Sequence, residues 1–146
     1  CIPEGAYGWH LGNTGSHHMH THSVGIELCN FGAAINGKTA YNRVIPADQL
    51  VTLPNEFKGK KQWHAYTDKQ IETLRLFILW IAERDSIDVR DGLIAEIKKQ
   101  GPKAFEFNQD AYTGKIKGMW THANVRARGK EDLFPQPNLI AMLLSI

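Results

Sequence analysis

The sequence is poor in the features that settle a protein's class at sight. Its 146 residues hold two cysteines, Cys1 and Cys29, and no C-x-x-C spacing. Two cysteines alone do not establish a disulfide framework, and both thiols are read as free. No apolar run reaches membrane-spanning length, and no basic, apolar, small-residue signal stands at the amino end. No spanning helix is expected, and export would need another agent. Neither sign of charge dominates, because 17 basic and 15 acidic residues are interspersed and leave a formal +2. That surface offers no strong electrostatic footprint, so neither nucleic acid nor a membrane is expected as a partner. There is no internal repeat, no low-complexity tract and no initiating Met; the chain opens Cys1-Ile2-Pro3 ahead of any recognisable element. A preceding piece of protein is therefore expected.

What is present suits one domain over residues 1–146, since a chain of this length buries most of its apolar surface without cross-links. From Cys1 to about His22 the chain is rich in Gly, His, Asn and Ser without periodicity, and is read as ordered loop. Ser23 to Asn30 is short, apolar and partly β-branched, which predicts an internal strand. Glu27 interrupts it. A carboxylate in such a strand costs free energy unless it is paired, liganded or facing a wet cleft, so it is the first residue to examine for chemistry.

Residues 37–63 scatter Val44, Ile45, Leu50, Val51, Leu53 and Phe57 among Pro46, Pro54 and glycines, and are read as a long surface excursion containing short strands. Thr67-Asp68-Lys69-Gln70 has the capping-box form and is followed by Ile71, Leu74, Phe77, Ile78 and Ile81, predicting a helix to about Arg84. Leu76, Leu79 and Trp80 widen its apolar surface, as for a helix packed on a sheet and touched by a second element. A further helix is expected from Gly92 to Gln100, stopped by Gly101-Pro102, and a closing helix through Leu139, Ile140, Met142 and Leu143 after two prolines. Ile116 to Val125 reads as strand running into loop. The fold class is α/β, a central mixed sheet flanked by helices.

Two clusters carry candidate chemistry. His17, His18, His20 and His22 are crowded into a polar loop, where such histidines are more often solvated surface than a built site, and they are set aside. Toward the carboxyl end His122, Lys130 and Asp132 lie within one loop excursion. Taken alone, that spacing fits a surface loop as well as a site.

Read together, four stretches resemble the zinc N-acetylmuramoyl-L-alanine amidases, the family that includes phage lysozyme-like amidases and the peptidoglycan recognition proteins. They are Trp9-His10-Leu11-Gly12, Ser23-Val24-Gly25-Ile26-Glu27-Leu28, Tyr66-Thr67-Asp68-Lys69-Gln70, and the set His122, Lys130 and Asp132. The resemblance implies Zn2+ held by His122 and Asp132, Glu27 as general base and Lys130 as the oxyanion-stabilising charge. It also implies a substrate cleft lined by Trp9, His10 and Asn30. The implied reaction is hydrolysis of the bond between N-acetylmuramic acid and L-alanine in peptidoglycan. The implied setting is a phage endolysin, made in the host cytoplasm and acting on the cell wall. The alternatives are a non-catalytic peptidoglycan-binding module and a structural phage component on the same fold. The family's first strand, helix and strand, with its first His ligand, have no counterpart here. A fragment or second chain completing the domain is the expectation that follows. The family's Asp-Pro-Gly-Pro is replaced by Asp132-Leu133-Phe134-Pro135-Gln136-Pro137.

Overall fold

The structure is a computed structural model that describes residues 6–12, 16–126 and 128–146. The chain forms two compact units, Leu28–Ile87 with Phe134–Ile146, and Cys1–Glu27 with Asp88–Leu133. Cys1 lies outside the described residues, and Cys29 is exposed and free. Among the described residues no helix is long and apolar enough to cross a membrane. The sheet with surrounding helices makes this a mixed α/β fold, as the sequence pattern implies, and the three paired strands run antiparallel.

The first of these units is built on a hairpin. Strands β2 (Leu50–Phe57) and β3 (Lys60–His64) are joined by Lys58-Gly59, and both turn residues have positive φ, 51° and 73°. A two-residue turn of that hand matches the twist of the strands it joins. The short strand β1 (Ala33–Ala34) pairs on the other side of β3, giving the order β1-β3-β2. Pro54 is tolerated because β2 is an edge strand, and it falls where the ladder to β3 loses register between Thr52 and Phe57. Residues 37–49 are mostly exposed and the expected short strands follow, but these are no surface feature. They place Leu53, Phe57 and Trp63 in the core at 1–2% exposure, where each large apolar side chain contributes roughly 1.5–3 kcal/mol.

The rest of the unit closes on that hairpin. Phe134 is stacked between Trp63 and Tyr66, at 4.7 and 4.8 Å between ring centroids. The long helix α2 (Asp68–Asp85) starts at Thr67, whose hydroxyl accepts from Gln70 N while Gln70 caps in return. It buries Ile71, Leu74, Ile78 and Ile81 and packs on the closing helix, residues 137–144, which begins at Pro137. Phe77, expected on the buried stripe, and Leu76, Leu79 and Trp80, expected to be touched by a second element, stay exposed; Phe77 and Trp80 stack on one another and Arg84 lies over Trp80.

The other unit consists of short helices. Numbered in chain order they are α1 (His17–Thr21), α3 (Leu93–Gln100), α4 (Gln109–Tyr112) and α5 (His122–Val125), with Pro137–Leu144 as α6. Leu93, Ile94, Ile97 and Phe105 form one buried group, while Leu11, Ala111 and Val125, with Met19 and Trp120, form another. Gly92 opens α3 at φ +74°, and a Cβ there would meet the Met119 carbonyl oxygen at 2.6 Å, so only glycine allows Leu93 N to bond to Met119 O.

Three local readings of the sequence change. Ser16 caps a helical turn inside the segment read as loop, its side chain accepting from Met19 N. Ile116 to Val125 is coil followed by α5 rather than strand. Residues 23–30 run without a ladder partner among the described residues, and Val24 and Ile26 are exposed. A β-branched pattern reports propensity, whereas a strand exists only where a neighbour takes its backbone hydrogen bonds.

Candidate metal and catalytic site

His122 is the first residue of α5, a single turn that cannot hold itself by its own backbone bonds. Asn124 holds it. Fully buried, its Oδ1 accepts from Thr121 N and from Thr121 Oγ1, and its Nδ2 donates to the carbonyls of Ala104 and Glu106 at 2.8 and 2.6 Å. The hydroxyl of Thr121 completes a reciprocal cap by accepting from Asn124 N. One residue along, Ala123 N donates to the carbonyl of Asp132 at 3.0 Å, which brings the returning loop alongside the turn.

The result is a cluster within this unit. His122 Nδ1 lies 2.6 Å from Asp132 Oδ2 and 3.7 Å from Glu27 Oε1, and Lys130 Nζ lies 4.0 Å from Asp132 Oδ1. The imidazole is nearly buried and the Glu27 side chain is 70% exposed, so a shielded base and a solvent-facing carboxylate face each other. Burial alone would discourage ionisation of Asp132. The hydrogen bond and charge of His122 and the charge of Lys130 outweigh it, and the carboxyl is held below its ordinary range.

Glu27, His122 and Asp132 offer one ligand atom each within 4.8 Å of one another, the only such group of three among the described residues. Two ligands of one tetrahedral zinc, each about 2.0–2.2 Å from the ion, stand roughly 3.3–3.6 Å apart. The separations of 2.6 and 3.7 Å from His122 bracket that value. One imidazole and two carboxylates are also donors that a borderline-soft divalent cation accepts, so the residues fit the ion.

The remaining candidates have partners of their own. Trp9 is exposed and packs against His20 at 4.7 Å. Both ring nitrogens of His10 face protein atoms, Nδ1 at 3.0 Å from Gly8 O and Nε2 at 2.9 Å from Ser23 Oγ. Asn30 belongs to the sheet-bearing unit, where its amide donates to His64 O and its Oδ1 accepts from Gly32 N. Of the four clustered histidines, His17, His18 and His22 are solvated as expected, but His20 is 1% exposed with Nε2 3.0 Å from Gly12 O. It is a core residue, turned inward by α1. The sequence reading missed Asn124 and Ser23; the Thr121-x-x-Asn124 spacing was a signal for the former, being a capping box with Asn in the reciprocal place.

A nearly buried imidazole, two carboxylates and an ammonium group gathered on one unit of a mixed α/β fold are the equipment of a hydrolytic site. The profile of the N-acetylmuramoyl-L-alanine amidase family matches residues 1–132, a span that contains Glu27, His122, Lys130 and Asp132. The chain belongs to that family. No curated protein and no solved structure shows a significant match.

Proposed function

We propose that the chain is a zinc-dependent amidase that cleaves the bond between N-acetylmuramic acid and L-alanine in peptidoglycan, acting as a phage endolysin. The observation that carries the reading is the convergence of Glu27, His122 and Asp132 inside the segment matched by the amidase family. His122 and Asp132 would hold the zinc. When bound, zinc polarises the scissile carbonyl and lowers the pKa of water toward ~7. The resemblance assigns the third protein donor of such a site to a histidine that has no counterpart in this sequence. Glu27, exposed and 3.7 Å from the imidazole, is placed to take a proton from the attacking water and return it to the leaving nitrogen. The ammonium of Lys130, beside Asp132, supplies positive charge where the carbonyl oxygen becomes negative. Asp132, kept ionised by His122 and Lys130, offers its carboxylate at neutral pH.

The test is zinc stoichiometry together with release of L-alanine-linked peptide from purified peptidoglycan, on the wild type and on Glu27→Gln. Retained zinc with hydrolysis down by at least ~10²-fold is expected, the usual cost of losing a general base. Loss of zinc in the variant would make Glu27 a ligand instead. A wild type that binds muropeptide without zinc or cleavage, alone or extended at its amino end, would leave a recognition module. The endolysin role is tested by adding the protein to outer-membrane-permeabilised cells and following turbidity, which is expected to fall.

A further inference from the structure

Glu27 is assigned a role that depends on its position. Residues 23–30 have no ladder partner among the described residues, and the Glu27 side chain is 70% exposed. We propose that the hydrogen bond between His10 and Ser23 is the clamp that positions Glu27. The proposal rests on the reading of Glu27 as the proton acceptor, and it makes His10 and Ser23 positioning residues rather than groups that touch substrate.

The geometry of the clamp is specific. His10 Nδ1 faces the Gly8 carbonyl at 3.0 Å and Nε2 faces Ser23 Oγ at 2.9 Å. The Ser23 hydroxyl has one proton to give, and with the Met19 carbonyl also in reach it is shared between that carbonyl and the ring, tying Ser23 both to His10 and to the end of α1. Two residues on, Gly25 lies against the His10 side chain, where a Cβ would approach the ring atoms Cδ2 and Cγ at 3.0 and 3.1 Å and His10 Cβ at 3.2 Å. The ring also meets His20 edge-on, at 5.4 Å between centroids, and His20 is itself buried and bonded to the Gly12 carbonyl. His10 thus contacts both a buried ring and the backbone of residues 23–25. From Ser23 to Glu27 an extended chain spans about 13 Å, so a swing of roughly 5° at Ser23 moves Glu27 by about 1 Å. A displacement of that size costs up to ~10²-fold in rate.

The experiment compares the full chain with Ser23→Ala and Ser23→Thr, the latter keeping the hydroxyl. Measured are kcat and KM for peptide release, zinc content, Tm, and backbone 15N relaxation at Gly25 to Glu27. Ser23→Ala is expected to lower kcat 10- to 100-fold with KM within twofold, zinc content unchanged and Tm within about 2 °C. Order parameters at residues 25–27 are expected to drop below ~0.6, and Ser23→Thr is expected to restore both. An alanine variant with unchanged kcat and unchanged relaxation overturns the clamp. So does one whose rate loss goes with a lowered Tm and no local loosening, since that is a structural effect. If the wild type proves inactive, relaxation alone decides: loosening in Ser23→Ala upholds the clamp while the amidase reading fails, and unchanged relaxation overturns the clamp as well.

Discussion

Replacing Gln136 by Leu should be among the more damaging single changes in the sheet-bearing unit. Gln136 is 4% exposed and its amide pairs with the backbone of Tyr66 as a neighbouring strand would: Oε1 accepts from Tyr66 N at 2.7 Å and Nε2 donates to Tyr66 O at 2.9 Å. The same Nε2 donates to Asn138 Oδ1, and Asn138 Nδ2 donates to Asp68 Oδ1, so the amide links the start of α6 to the start of α2. Gln136→Leu keeps the bulk and removes the two bonds to Tyr66 in a buried setting. At roughly 1–3 kcal/mol for each group deprived of its partner, the loss is about 2–6 kcal/mol. In a chain of this size that lowers Tm by roughly 6–18 °C. Urea unfolding followed by tryptophan fluorescence measures it, because Trp63 is stacked on Phe134 in the same core.

Gln136→Glu sharpens the test. At neutral pH its carboxylate faces the Tyr66 carbonyl, while a protonated acid donates to it as the amide does. Burial and that carbonyl both raise the folded-state pKa above the unfolded ~4.3. Stability from the raised pKa is fully present below the unfolded value and is lost as pH rises through the folded one. The glutamate variant should therefore lie closer to the wild type at pH 4 than at pH 7. A leucine variant within about 1 kcal/mol of wild type, or a glutamate variant equally impaired at both pH values, refutes the reasoning.

Two further outcomes concern the other unit. Asn124→Ala deletes the side-chain bonds to Thr121, Ala104 and Glu106; it should cost roughly 2–4 kcal/mol and weaken zinc affinity at least tenfold, and calorimetric titration showing wild-type affinity would deny it a supporting role. Asp132 has its pKa lowered, so in metal-free protein its contribution is present above the unfolded ~3.9 and lost as pH falls through the folded value. The Tm gap between wild type and Asp132→Asn should accordingly close below about pH 4; because the group is 42% exposed, solvent screening limits the gap to at most ~1 kcal/mol.

The legible elements were those whose signal is local. The box Thr67-x-x-Gln70 with its apolar stripe gives α2, Gly101-Pro102 ends α3, and Pro137 starts α6, all within a residue or two of the expectation. The segment 23–30 was misread because pairing is non-local: the β-branched pattern is real, and no strand among the described residues pairs with it. The hairpin at Lys58-Gly59 was undervalued because Pro54 and the glycines look like loop, although Pro is admissible on an edge strand. His20 could not be told from its three solvated neighbours, since the direction of each side chain depends on a helical turn that composition does not announce.

The cluster of Glu27, His122 and Asp132 was assembled from sequence only through resemblance, and the structure shows why residue patterns could not have done it. None of the three lies inside an element long enough to have a periodicity: Glu27 is in unpaired chain, His122 opens a four-residue turn, and Asp132 is in a loop. Their placement is transferred to individual polar bonds, Asn124 to two carbonyls, Ala123 N to Asp132 O, and His10 to Ser23. Such bonds are made by residue types that occur throughout any surface, so their sequence signal is weak even where their energetic effect is large. A site built this way is sensitive at positions remote from the chemistry. Alanine at Asn124 or Ser23, which deletes these bonds, should therefore disturb metal affinity or rate, whereas alanine on the exposed face of α2, at Leu76 or Leu79, should leave both intact.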